Sequence, residues 1–276
     1  MKRFNISKIL GIGFFSILIL SLVACTSRTD KSNAEDMVAD DSEAQKDEVI
    51  ETISGYPLPK SFEVTTMLIE AGAPYILSIS NPALNVGNYF TQVEKALNLG
   101  IYGADLSYAS TYMMKQETML YLKSSKQLTD EIEISSVFNQ DYAERIENNL
   151  ENGDSLISII SDSFLDTYEY LTTNNKDKLA VLVMAGSWIE GLYITTQIAI
   201  TAADNTEILD IIAHQKSSLK KLIEIMDPVK ADEETVEMYN ELNVLKGHFD
   251  AIEDQISAQA LEDISSTIES IRNKII

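Results

Sequence analysis

The chain has a single cysteine, at position 25, so it cannot form an internal disulfide and its remaining residues offer no thiolate to a metal. Its two histidines, His214 and His248, are too far apart in sequence to form a local zinc pair, and no cofactor-binding motif is present. Positive charge is also scarce, with 21 Lys and Arg against 43 Asp and Glu and a formal net charge of −22. A surface so negative repels phosphate backbones, which excludes nucleic acid as a partner and leaves cationic or neutral ones. Five prolines and eleven glycines leave long uninterrupted segments, which favours helices over a turn-rich β fold. There is no Gly-x-x-x-x-Gly-Lys loop, Gly186-Ser187-Trp188 does not open a nucleophile elbow, and the acidic runs lack the ligand spacing of an EF-hand.

The N-terminus carries the clearest address. Lys2, Arg3 and Lys8 precede an uncharged, Ile-, Leu- and Phe-rich segment from Ile9 to Ala24, which is the layout of an export signal. That segment is short for a membrane span, which needs about 20 residues. It ends in Leu22-Val23-Ala24-Cys25, which resembles the lipobox of bacterial lipoproteins. The resemblance implies that residues 1–24 are a signal peptide and that Cys25 becomes an acylated first residue, anchoring the protein to a membrane. Thr rather than Asp at position 26 points, by the proteobacterial sorting rule, to the outer membrane, facing either the periplasm or the cell surface. Residues 25–55 read as a lipidated cysteine followed by an acidic tether poor in large apolar groups.

Tyr56-Pro57-Leu58-Pro59 marks the entrance to an all-α domain over residues 56–276. A first helix runs over 62–69 and ends at Gly72 and Pro74. The helical period is clear from about Asn88 to Lys115, and further helices follow over 119–134, 142–150, 156–171, 179–200 and 208–225. The tail from about Asp232 reads as one long helix or two joined near Gly247. The 179–200 stretch is long enough to span a membrane, but Glu190, Gln197 and Thr195-Thr196 are costly in lipid, so a buried helix is the reading. Antiparallel bundles joined by short turns follow.

Two segments match one another. Leu99-Gly100-Ile101-Tyr102-Gly103-Ala104-Asp105-Leu106-Ser107-Tyr108 and Met184-Ala185-Gly186-Ser187-Trp188-Ile189-Glu190-Gly191-Leu192-Tyr193 each put a lone carboxylate among small residues, with tyrosine three positions on. Tyr112 and Gln197 lie a turn further along the same face. Both helices are followed by Lys-Ser-Ser, at 123–125 and 216–218, so two related helical-hairpin halves are possible. Each glycine costs ~1 kcal/mol inside a helix, so close helix contact or room for a ligand should offset it.

Asp105 and Glu190 have three readings: polar ties between buried helices, bonded to tyrosine hydroxyls; the floor of a pocket with Tyr108, Tyr112, Trp188, Tyr193 and Gln197 for a small cationic or polyhydroxyl ligand; or a hydrolase carboxylate pair. The segment Gly100 to Ala109 is also similar to predicted helical lipoproteins of Bacteroidota, which implies compartment and class and no activity. The expectation is therefore a non-enzymatic, lipid-anchored envelope protein that binds a small ligand or an envelope protein. The alternative is a structural or assembly component, with an exposed apolar patch along the last helix.

Overall fold

The computed structural model describes residues 61–135 and 140–276, all of which fall in one compact unit spanning 43–276. The expected signal peptide, Cys25, the expected tether and the Tyr56–Pro59 entrance lie outside the described residues. Nine α-helices and no strand occur among the described residues: α1 Ser61–Glu70, α2 Gln92–Thr111, α3 Lys115–Glu131, α4 Gln140–Asn148, α5 Gly153–Thr173, α6 Asp177–Thr201, α7 Thr206–Met226, α8 Val236–Asp250 and α9 Ala258–Asn273. The fold is the all-α bundle read from the sequence.

Polar side chains set several helix starts. Thr91 and Glu94 form a reciprocal capping box on α2, Asn152 accepts from Ser155 N at α5, and Ser257 accepts from Ala260 N at α9. Four helix ends share one device, in which a residue with left-handed backbone lets the next N–H reach back five residues. Only α1 uses glycine for it, with Gly72 at φ 73° and Ala73 N bonding Leu68 O. At α2, α3 and α5 the left-handed residues are Met113, Glu133 and Asn175. The periodicity therefore overran the end of α2, because nothing in Tyr112-Met113-Met114 announces a stop. The tail breaks over residues 251–257, and Gly247 lies inside α8.

Helices α2 and α6 form the centre. They cross each other, and α1 and α5 pack against both, while α3 lies on α2 and α7 and α9 lie on α6. Each is buried all round, from Ala96 to Ser110 in α2 and from Ala180 to Glu190 in α6. Helix α6 is long and apolar enough to cross a membrane, and 83% of its apolar window is buried within the fold. The crossing is reciprocal. A methyl on Gly100 would fall 2.0 Å from Val183 O, and one on Gly186 would fall 2.0 Å from Leu97 O. In each case the carbonyl belongs to the residue three before the opposite glycine. A third glycine, Gly103, leaves room for the Phe164 ring of α5, whereas nothing approaches the Gly191 position. Close contact thus accounts for three of the four glycines, and nothing in the structure explains Gly191.

Candidate functional site

The connection between α1 and α2, residues 71–91, exceeds the ~12–15 residues beyond which an unpartnered loop becomes uncommon. It contains short 3₁₀ turns at Leu77–Ile79 and Ala83–Asn88, and leaves many backbone groups with no helical partner. Side chains from three helices, α2, α3 and α9, supply those partners. Tyr112 OH donates to Ala73 O (2.8 Å), while Tyr108 OH accepts from Ile76 N (2.8 Å) and donates to Pro74 O (3.5 Å). Tyr102 OH donates to Pro82 O (3.0 Å), and Ser124 Oγ of α3 donates to Ala83 O (3.1 Å). Within the connection, Asn81 Nδ2 donates to Tyr89 OH (2.9 Å) and Asn85 Nδ2 to Asn81 Oδ1 (2.9 Å). The rings of Tyr75, Tyr108 and Tyr112 cluster with centroids 4.7–5.6 Å apart, and Tyr89 packs on Tyr102.

The two carboxylates belong to this brace. Asp105 Oδ2 accepts from Asn81 N (3.1 Å). Glu190 takes both edges of Arg272 of α9, with Nε to Oε2 at 2.5 Å and Nη2 to Oε1 at 2.8 Å, and the same Nη2 donates to Ile79 O (3.1 Å). Asp105 and Glu190 are fully buried, and Arg272 is 5% exposed. No family model matches the chain, and neither a curated protein nor a solved structure matches it, so the arrangement has to be read from its own chemistry.

That chemistry is one guanidinium facing two carboxyl groups. Burial, then the neighbouring Glu190, holds the Asp105 carboxyl well above the ordinary range, and Arg272 only partly offsets them. Burial also raises Glu190, but the Arg272 guanidinium and its two hydrogen bonds pull it back. Because Arg272 bonds Glu190 at both edges and does not bond Asp105, Asp105 is the acid of the two that favours the proton. Asp105 Oδ1 accepts no hydrogen bond, and Asp105 lies within hydrogen-bonding reach of Glu190, where a protonated acid can donate. Burial pushes the Tyr108 phenol up to about 12, so it keeps its hydrogen.

Of the residues singled out in the sequence, Asp105, Glu190 and Tyr193 meet around Arg272 and Tyr108 and Tyr112 meet on the connection, in roles different from those expected, while no hydrogen bond joins Trp188 or Gln197 to them. Tyr108 and Tyr112 bond the connection's backbone and not a carboxylate. Tyr193 lies under Arg272, whose Cζ is 4.2 Å from the ring centroid, and Gln197 bonds Ser265 of α9 (3.3 Å). Trp188 is 1% exposed, with its Nε1 unpartnered. The space beside Asp105, Tyr108 and Tyr112 is filled by the chain's own residues 73–91. An open groove of about 500 Å³ lies elsewhere, between α3 and α4, and is lined by Met119, Leu120, Leu122 and Ala143 with Lys123 and Lys126 at its edge. No group of three His, Cys, Asp or Glu placed to hold a metal ion occurs among the described residues.

Arg272 went unnoticed in the sequence, though a signal existed. Leu261, Ile264, Ile268 and position 272 fall on one stripe of α9, and an arginine on an otherwise apolar stripe demands a buried acid. Asn81 gave no such signal. The exposed large apolar residues also lie elsewhere than expected, since α9 has none and the 71–91 connection has Leu77, Leu84 and Phe90.

Proposed function

We propose that the chain is a lipid-anchored, non-enzymatic protein of the bacterial cell envelope, held through Cys25 and placed at the outer membrane. It acts by presenting the braced surface of the α1–α2 connection to a partner. One observation carries the reading: the buried charges and tyrosines hold the backbone of residues 73–91 and line no open cleft. A buried network that bonds a loop's backbone at this many points is a device for shape. The loop it shapes exposes large apolar side chains, as recognition loops on rigid scaffolds do. The sealed geometry opposes the hydrolase alternative, because a carboxylate pair in direct reach of each other leaves no space for a scissile bond and its water. It opposes a small-ligand site between α2 and α6 for the same reason.

Two measurements test the proposal. The N-terminal peptide of protein extracted from native membranes should begin at Cys25 and carry the mass of an acylated glyceryl group. An unmodified Cys25 in a chain that retains residues 1–24 removes the anchor. Small cationic and polyhydroxyl compounds should leave the melting temperature unchanged. A shift that disappears in Glu190→Gln would restore the ligand pocket.

A further inference from the structure

Between Glu70 and Glu94 the chain has no charged residue, although Asp, Glu, Lys and Arg make up 23% of the whole and the net charge is −22. That interval contains the braced connection. Its exposed large side chains are apolar: Leu77 is 53% exposed, Leu84 93% and Phe90 80%. The other exposed positions from Pro74 to Thr91, Ser78 and Asn88 among them, are neutral. Leu84 and Phe90 protrude where a Leu or Phe normally shelters; just before Leu84 the carbonyls of Pro82 and Ala83 are held by Tyr102 and Ser124, the Tyr89 hydroxyl is held by Asn81, and Phe90 N donates to the Glu94 carboxylate that caps α2.

We propose that residues 77–90 form a membrane-contacting loop that inserts Leu84 and Phe90 into the interfacial region of the bilayer. This inference rests on the lipid-anchored reading and names the surface partner as lipid. Charge selects the loop: a strongly anionic body is repelled by headgroup phosphates almost everywhere, and an uncharged patch can approach at little electrostatic cost. Shape permits it, since an interfacial contact needs exposed apolar side chains at the surface, and Leu84 and Phe90 supply them. Connectivity permits it. The chain between Cys25 and Ser61 can reach at most about 130 Å, and α1 alone separates Ser61 from the loop. An acyl anchor confines the body near the membrane without orienting it. A second, weak apolar contact would orient it.

The test uses the full chain on phosphatidylcholine vesicles, with and without brominated acyl chains. Trp188 is the natural tryptophan and is 1% exposed, so its emission should be insensitive to brominated lipid. In Phe90→Trp, the added emission should shift to the blue on vesicles and be quenched by the brominated chains. Adding Leu84→Asp to that variant should cut the quenching back to the wild-type level. Flotation with vesicles and the mass of the Cys25 peptide report on the anchor separately. An acylated Phe90→Trp chain that floats while the introduced indole stays unquenched overturns the loop and leaves the anchor standing. Quenching in a chain without acyl groups keeps the loop and removes the anchor. Emission that shifts only in native envelope fractions, and not on lipid, assigns the loop to a protein partner and overturns the inference.

Discussion

Asp105 and Glu190 occupy matched places on two helices that cross at matched glycines, yet their environments are opposite. Glu190 receives a bidentate arginine from α9, while Asp105 receives a backbone N–H from the loop and keeps its proton. One arginine cannot neutralise two buried carboxylates. The α6 side of the crossing is therefore closed by an ion pair and the α2 side by a neutral acid. Equivalent positions in two similar helices thus carry different electrostatic roles, which are set by what packs against each. α9 brings a cation to one, and an uncharged loop covers the other.

The largest expected effect comes from breaking the ion pair. Glu190→Gln leaves Arg272 charged, buried and short of its counter-ion, which should cost about 3–5 kcal/mol, read as a fall in the urea midpoint at constant slope. Combining Glu190→Met with Arg272→Met removes both charges and should recover part of that loss. The double variant should nonetheless loosen residues 71–91, because Ile79 O loses its donor. Faster amide exchange there with partly restored global stability would separate holding the loop from holding the fold. If Glu190→Gln unfolds no more easily than wild type, the asymmetry between the two carboxylates is wrong.

The crossing itself comes next. Gly186→Ala drives a methyl to 2.0 Å from a carbonyl that no rotamer can move, so the helices must separate, at ~1–3 kcal/mol or more. Gly191→Ala, one turn along the same helix, meets open space and should stabilise by up to ~1 kcal/mol through helix propensity. Opposite signs in thermal melts would show that the glycines mark a contact rather than a composition bias.

How much of this the sequence could reveal follows from which interactions are local. Helices with a 3.6-residue apolar period were legible, and so was the pairing of a carboxylate with small residues, because both are short-range patterns. The end of α2 at Met113 was not, since a left-handed methionine leaves no compositional trace, whereas the ends near Ile134 and after Leu171 were placed within a few residues. The tyrosines were visible as a group, but their targets were not: backbone atoms such as Ala73 O, Ile76 N and Pro82 O carry no sequence identity. A chain segment filling the cleft where a ligand was expected could not be foreseen from side-chain spacing, because the filler is itself a loop without period.

Asp105 gives the smallest effect and the sharpest sign. A folded-state value raised by burial means that the native protein holds this proton more tightly than the unfolded chain does. Between the ordinary carboxylate value and the raised native value, the native state therefore binds more protons, and stability falls as the pH increases across that window. Arg272 from α9 opposes the shift, Glu190 from α6 adds to it, and burial keeps the phenols of Tyr75, Tyr89 and Tyr121 protonated and neutral. Asp105→Asn imitates the protonated acid: its carbonyl can still accept from Asn81 N, and its amide can donate toward Glu190. It should change stability at pH 7 by about 1 kcal/mol or less, in either direction. It should also flatten the decline in stability above the ordinary carboxylate range, measured as urea midpoints from pH 4 to 8. An unchanged slope in Asp105→Asn would mean that Asp105 is ionised in the native state and that Glu190 holds the shared proton instead.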